Sequence, residues 1–220
     1  MTEAATQLVG AECVVPGRRL RLLSYNVQTG ISTTRYHHYV TQSWKHVLPH
    51  GERFQNLDRI AKLTCEYDIV GLQEVALWRE QTPSDFTGTP AETVRYDFLQ
   101  SLLDELKAAG AEYTVAVVQE EFDQELPADV DGNDATGAGP FASCGADKDG
   151  RLTMRDAILV KKGSKVKVSN PQMGQFQNLY QVNLAGLLPI DVERGWVSVD
   201  AKIKAKKNKD GETKKRGAKF

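Results

Sequence analysis

Long hydrophobic runs are missing from this chain. Nothing in it approaches the ~20 apolar residues that a membrane-spanning helix needs, so no transmembrane segment is expected. Met1 to Pro16 show no basic stretch followed by an apolar one, which argues against a secretory leader. Cysteine is scarce. Cys13, Cys65 and Cys144 are odd in number, widely scattered and not spaced as a metal knuckle. That pattern predicts free thiols in a reducing compartment, with the cytoplasm as the expected location. Strong net charge is lacking too, at −1, but it conceals an asymmetry. Ala201 to Phe220 hold nine Lys/Arg against two Asp/Glu, and the remainder leans acidic.

With 40 % apolar and 26 % charged residues, 220 residues suffice for one large folded domain or two small ones. Residues 1–18 read as a polar leader and 19–220 as the folded part. Leu20 to Val27 reads as a strand, and Arg53 to Glu66, with Phe54, Leu57, Ile60, Ala61 and Leu63 near helical spacing, as an amphipathic helix. Asp68 to Val75 is a buried strand closing on Gln73-Glu74. Ala91 to Ala109 is expected as a second helix, with Val94, Phe98, Leu102, Leu103 and Leu106 along one face and Gly110 as its stop. Tyr113 to Val118 is a strand. Asp123 to Gly150, dense in Asp, Gly and Ala, is expected to be mostly loop. Asp156 to Val160 is expected to pair with Lys165 to Val168, and Asn170-Pro171 to open a loop. Val197 to Lys206 alternates apolar and polar residues, and an Asp210-Gly211 turn signal follows. The basic tail is thus expected as the solvated face of a hairpin, with a nucleic-acid contact as the alternative. No internal repeat occurs. The predicted class is α/β, with mixed sheets.

If the first two strands pair in parallel, Asn26 and Glu74 end on one sheet edge, where open α/β sheets bind ligands. An amide oxygen beside a lone carboxylate suits a hard divalent cation that keeps several waters, magnesium above all.

The wording of these strands carries more. Leu22-Leu23-Ser24-Tyr25-Asn26-Val27, followed after one helix by Asp68-Ile69-Val70-Gly71-Leu72-Gln73-Glu74-Val75, resembles the opening motifs of the endonuclease/exonuclease/phosphatase superfamily. Arg155-Asp156-Ala157-Ile158-Leu159-Val160 is similar to that family's central strand, and Arg194 to Lys204 to the strand after it. The resemblance implies a partial four-layer α/β sandwich (helix–sheet–sheet–helix) and a phosphoester hydrolase of nuclease, phosphodiesterase or phosphatase type. It implies magnesium, or manganese in its place, held by Asn26 and Glu74 as catalytic metal ligands. Arg155 becomes a candidate phosphate contact, a surface arginine being the alternative. Nucleic acid and a phospholipid or inositol-phosphate head group both remain open as substrates.

The family's Asn-Thr-His, Gly-Asp-Phe-Asn and Ser-Asp-His segments do not occur in the sequence. Residues 19–220 are therefore expected to be the N-terminal part of such a domain, truncated and inactive as it stands. The competing expectation is a non-catalytic metal- or partner-binding fragment, or a pseudoenzyme. His37, His38, His46 and His50 lack the spacing of a zinc site and read as loop residues. Asp129 to Asp134 and Asp147 to Gly150 lack a calcium ligand ladder and read as turns.

Overall fold

The computed structural model describes residues 20–27, 51–85, 88–128, 146–184 and 188–203. The histidine cluster, the 129–134 segment and residues 204–220 lie outside these. The class is mixed α/β and strand-rich, with two helices among the described residues. β1 (Leu22–Asn26) leads to α1 (Gly51–Thr64), then β2 (Ile69–Gln73), β3 (Leu77–Gln81) and β4 (Thr93–Asp97). After α2 (Phe98–Ala108) come β5 (Tyr113–Ala128), β6 (Lys148–Lys161), β7 (Val166–Gln175), β8 (Tyr180–Leu184), β9 (Leu188–Val192) and β10 (Gly195–Ile203).

β6 is the spine of a six-stranded sheet. β5 lies antiparallel along its whole length on one edge. On the other edge β2 pairs with its C-terminal half and β3 with its N-terminal half. β1 joins β2 in parallel, with α1 crossing between them in sequence, and β4 joins β3. Pleat alternation gives the sheet two different faces. Val70, Leu72, Ala157 and Leu159 point to one, where Leu57 and Ile60 of α1 and Phe98, Leu102 and Leu106 of α2 cover them. Ile69 and Ile158 point to the other and meet Val166, Val168 and Ala201 of the β7–β10 ribbon.

Five expectations are corrected. The second helix does not start at Ala91, because residues 93–97 form β4. Thr93, Val94 and Tyr96 favour a pleated strand, and Asp97 then caps α2 by accepting from the Gln100 N–H at 3.2 Å. Val94, spaced as a helical neighbour of Phe98, is exposed. Residues 123–128 and 148–150 are strand rather than loop. Their low strand propensity is overridden by pairing along β6 and by ion pairs such as Arg151 with Asp123 and Lys148 with Glu80. Asp149 is fully buried and accepts from the Ser84 hydroxyl and the Asp85 N–H.

β7 pairs with β10 and not with β6, both of whose edges are already filled. Gly163, at φ 76°, lets the chain leave the sheet there. Asn170-Pro171 lies within β7, at a register shift where Asn170 takes φ 52° and proline's missing N–H does no harm. Finally, Cys65 is disulfide-bonded. That overturns the free-thiol reading for this residue.

The stop at Gly110 has a clear physical basis. Gly110 takes φ 81°, its N–H donates to the Lys107 carbonyl, and the Ala111 N–H donates to the Leu106 carbonyl. This is the paired-bond ending that a left-handed glycine allows. Gly110→Ala meets no steric obstacle, so its cost should be the backbone strain alone. We expect a loss of about 1–2 kcal/mol in chemical denaturation, with the denaturant slope unchanged.

Candidate functional site

β1 and β2 pair with Asn26 opposite Gln73, so Asn26 and Glu74 occupy neighbouring strand ends. The two strands run on unequally from there. Between Leu72 and Leu77, four residues (Gln73 to Ala76) face three on β6 (Met154 to Asp156). The extra residue makes a bulge, and Glu74 sits in it at φ 61°. Plain alternation would send Glu74 to the helix face, after Gln73 on the other. The left-handed backbone instead brings its carboxylate to the face of the β7–β10 ribbon, 3.8 Å from the Arg194 guanidinium. Such a conformation is strained for a residue with a Cβ and is held by its surroundings. Here the Glu74 N–H donates to Asp156 Oδ1 at 3.3 Å, and the Val75 N–H to the Arg155 carbonyl at 2.7 Å.

A second bulge lies at the same level on the opposite edge of β6. The β5 register shifts between Glu120, opposite Arg155, and Phe122, opposite Met154, so Glu121 is the inserted residue. Its side chain is only 3 % exposed. Glu121 Oε1 accepts from the Gly195 N–H at 2.7 Å, and Oε2 lies 4.0 Å from Arg194. Three adjacent strands thus turn Glu74, Asp156 and Glu121 to one face, with Arg194 as their shared cation. Burial, followed by the Asp156 charge, pushes Glu121 up to about 7. Burial also raises Asp156, helped by the Glu74 charge, although the Glu74 N–H works against it. Concentrating like charges in this way is unfavourable for stability, and arrangements of this kind are found where function requires them.

Arg155 does not join this group. It lies on the helix face, with its side chain 9 % exposed. Its Nη2 donates to Asp97 Oδ1 at 2.6 Å, and its Nε to the Val75 carbonyl at 3.0 Å. The guanidinium is neither a surface group nor aimed at Glu74. It anchors the backbone just past the bulge.

Glu121 and Arg194 were missed in the sequence, and Asp156 was read only as part of a strand. A bulge leaves no periodic trace, so nothing local marked Glu121. The carboxylate next to Arg155 in the central strand was the one available signal.

Asn26 is exposed, and the Glu74 side chain is 27 % exposed. Together they offer an amide oxygen and a carboxylate at an accessible edge, a donor set that fits magnesium or manganese keeping most of its waters. Among the described residues, no set of three or more His, Cys, Asp or Glu side chains is arranged to hold a metal ion. A cation here would therefore depend on few protein ligands, with water and substrate oxygens completing its shell. No described helix is long and apolar enough to cross a membrane. No protein-family model matches the chain, and comparisons with curated proteins and with solved structures return no match.

Proposed function

We propose that this chain carries the cation- and phosphate-binding face of a magnesium-dependent phosphoester hydrolase of the endonuclease/exonuclease/phosphatase type. The supporting observation is Glu74, held in a left-handed bulge at the end of a parallel strand pair and beside Asn26. Helices on one sheet face and the β7–β10 ribbon on the other are consistent with three layers of the four-layer sandwich that such an enzyme would have.

In this reading Asn26 and Glu74 hold the cation. When bound, it would neutralise charge on a phosphoryl oxygen and assist the leaving oxygen. Arg194 replaces Arg155 as the phosphate contact. It is 45 % exposed, and its guanidinium can pair with a phosphate without first breaking a close hydrogen-bonded ion pair. Arg155 acts at one remove, fixing Val75 and Ala76 and through them the bulge. No Asn-Thr-His, Gly-Asp-Phe-Asn or Ser-Asp-His segment is present to activate water. The 220-residue chain should therefore bind the cation with little or no turnover. The same site would serve a non-catalytic cation-binding protein, and turnover separates the two readings.

Manganese binding followed by electron paramagnetic resonance tests the proposal. Wild-type chain should show a single class of site, weakened at least ~10-fold by Glu74→Gln, since even residues that only support a metal ligand typically contribute that much. Unchanged affinity in that variant would place the cation elsewhere. Glu74→Gly gives a sharper signature. It should abolish binding and yet raise stability by about 1 kcal/mol, because glycine adopts φ 61° without strain. A loss of stability in Glu74→Gly would show that the bulge is not a strained position kept for function.

A further inference from the structure

Arg194 has a fixed base and a loosely held head. Its carbonyl accepts from the Phe176 N–H at 2.8 Å, and the next N–H along the chain, that of Gly195, donates to Glu121 Oε1 at 2.7 Å. Gly195 has no room for a side chain, because a Cβ there would lie 2.5 Å from the Gly174 carbonyl oxygen. The backbone is thus tied to the end of β7 and to the buried carboxylate of β5. The guanidinium is held less closely. It is half-exposed and meets Glu74 at 3.8 Å and Glu121 at 4.0 Å. Both distances exceed the roughly 2.7–2.9 Å of a close charge-assisted hydrogen bond.

Its place in the charge balance is nonetheless decisive. Among the described residues, no other Lys or Arg pairs with Glu74, Glu121 or Asp156. Arg194 is therefore the counter-ion of the Glu74 carboxylate, the same group that the proposed function gives to a divalent cation. Two positive charges on one carboxylate repel each other at close range. Pinned at its backbone and loose at its head, Arg194 can leave Glu74 without the β7–β10 ribbon moving.

We propose that Arg194 is a resident stand-in for the divalent cation: it neutralises Glu74 before a cation binds, swings away as the cation takes its place, and only then becomes available to a phosphodiester oxygen. This rests on the hydrolase reading and adds an order to it, cation first and phosphate second. The guanidinium suits the second task, because its planar fork bonds phosphate through two parallel N–H groups and so replaces the pairing given up at Glu74. Linkage requires the converse as well. A phosphodiester that draws Arg194 off Glu74 must tighten the cation by the same factor.

The test is manganese binding by the full chain, followed by electron paramagnetic resonance, with dimethyl phosphate as the probe of the second step. Arg194→Met and Arg194→Gln should each tighten manganese binding at least ~5-fold, the low end of coupling between linked sites. Arg194→Lys keeps a competing cation and should bind as the parent does. Lys162→Met, which removes an exposed charge paired with Glu112, should also leave the affinity unchanged. Dimethyl phosphate should tighten manganese at least ~5-fold in the parent and by clearly less in Arg194→Met. Unchanged or weaker manganese binding in both neutral Arg194 variants, with Glu74→Gln still weakening it, would overturn the exchange and leave the cation site standing. Equal tightening by Lys162→Met would sink it too, since net charge alone would then explain the effect. A dimethyl phosphate effect as large in Arg194→Met as in the parent would remove the second step, and with it the proposed order. Manganese binding that survives Glu74→Gln in the Arg194→Met background, or no manganese binding in any variant, would defeat the hydrolase reading and the exchange together.

Discussion

Asp97→Ala should destabilise the fold by roughly 3–5 kcal/mol, the range for breaking a buried ion pair by removing one partner. Arg155 would keep only carbonyl acceptors, Val75 at 3.0 Å and Ala76 at 3.5 Å, for a charge that stays buried. The same substitution removes the cap of α2, worth about 1 kcal/mol of that range. Asp97→Asn separates the two contributions, because asparagine caps as well as aspartate but carries no charge. Its loss should be slightly smaller than that of alanine. Adding Arg155→Met to Asp97→Asn should recover much of it, since an apolar replacement for a buried pair is often neutral. Urea titrations of the three variants measure this directly. Asp97→Ala should also weaken manganese binding, because the anchor of the bulge is gone. Destabilisation below about 1 kcal/mol would mean that solvent already carries the Arg155 charge.

A pH-dependent prediction follows from Glu121. Its folded-state value of about 7 lies above the ordinary 4.5, so between these values the folded chain keeps a proton that the unfolded chain has released. Stability contributed by this group is therefore full at low pH and falls as pH rises through that window. The loss is on the order of 3 kcal/mol once both states are ionised. Glu121→Gln retains an amide oxygen for the Gly195 N–H and has no charge to desolvate. In buffer with chelator, the variant should be more stable than the parent at about pH 8, with the difference vanishing near pH 4.5. A parent and variant that differ equally at both pH values would show that Glu121 ionises normally in the fold.

The sequence reading reached furthest where one periodicity ran uninterrupted. β1, α1 and β2, and the parallel pairing that sets Asn26 beside the Gln73-Glu74 step, all follow from short apolar runs of clear period. It failed where two elements shared a pattern. Val94 and Phe98 stand four apart, as helix neighbours do, yet one lies within a strand ladder and the other opens a helix. It failed again where pairing overrode propensity, as in the acidic half of β5, which is strand because Arg79 and Arg151 lie across from it. Glu74 was found through a motif, but its backbone conformation was not legible, and neither was the matching bulge at Glu121. Both depend on strands that are distant in the chain differing by one residue in length. The disulfide at Cys65 was likewise unreadable, since three scattered cysteines give no pairing.

The use of β6 as a common spine bears on how the chain comes to be folded. Glu74 and Asp156 are 82 residues apart, yet β2 and β3 have no other partner on that side. At 5–20 residues per second, a ribosome needs roughly 4–16 s to make the stretch between them. Throughout that interval the Ile69-Val70-Gly71-Leu72 strand has only β1 to pair with, and its other edge stays open. Contacts so far apart in sequence also predict slow refolding. Dilution from denaturant should therefore pass through a period in which yield falls with protein concentration, and a holdase chaperone present early, but not late, should raise it.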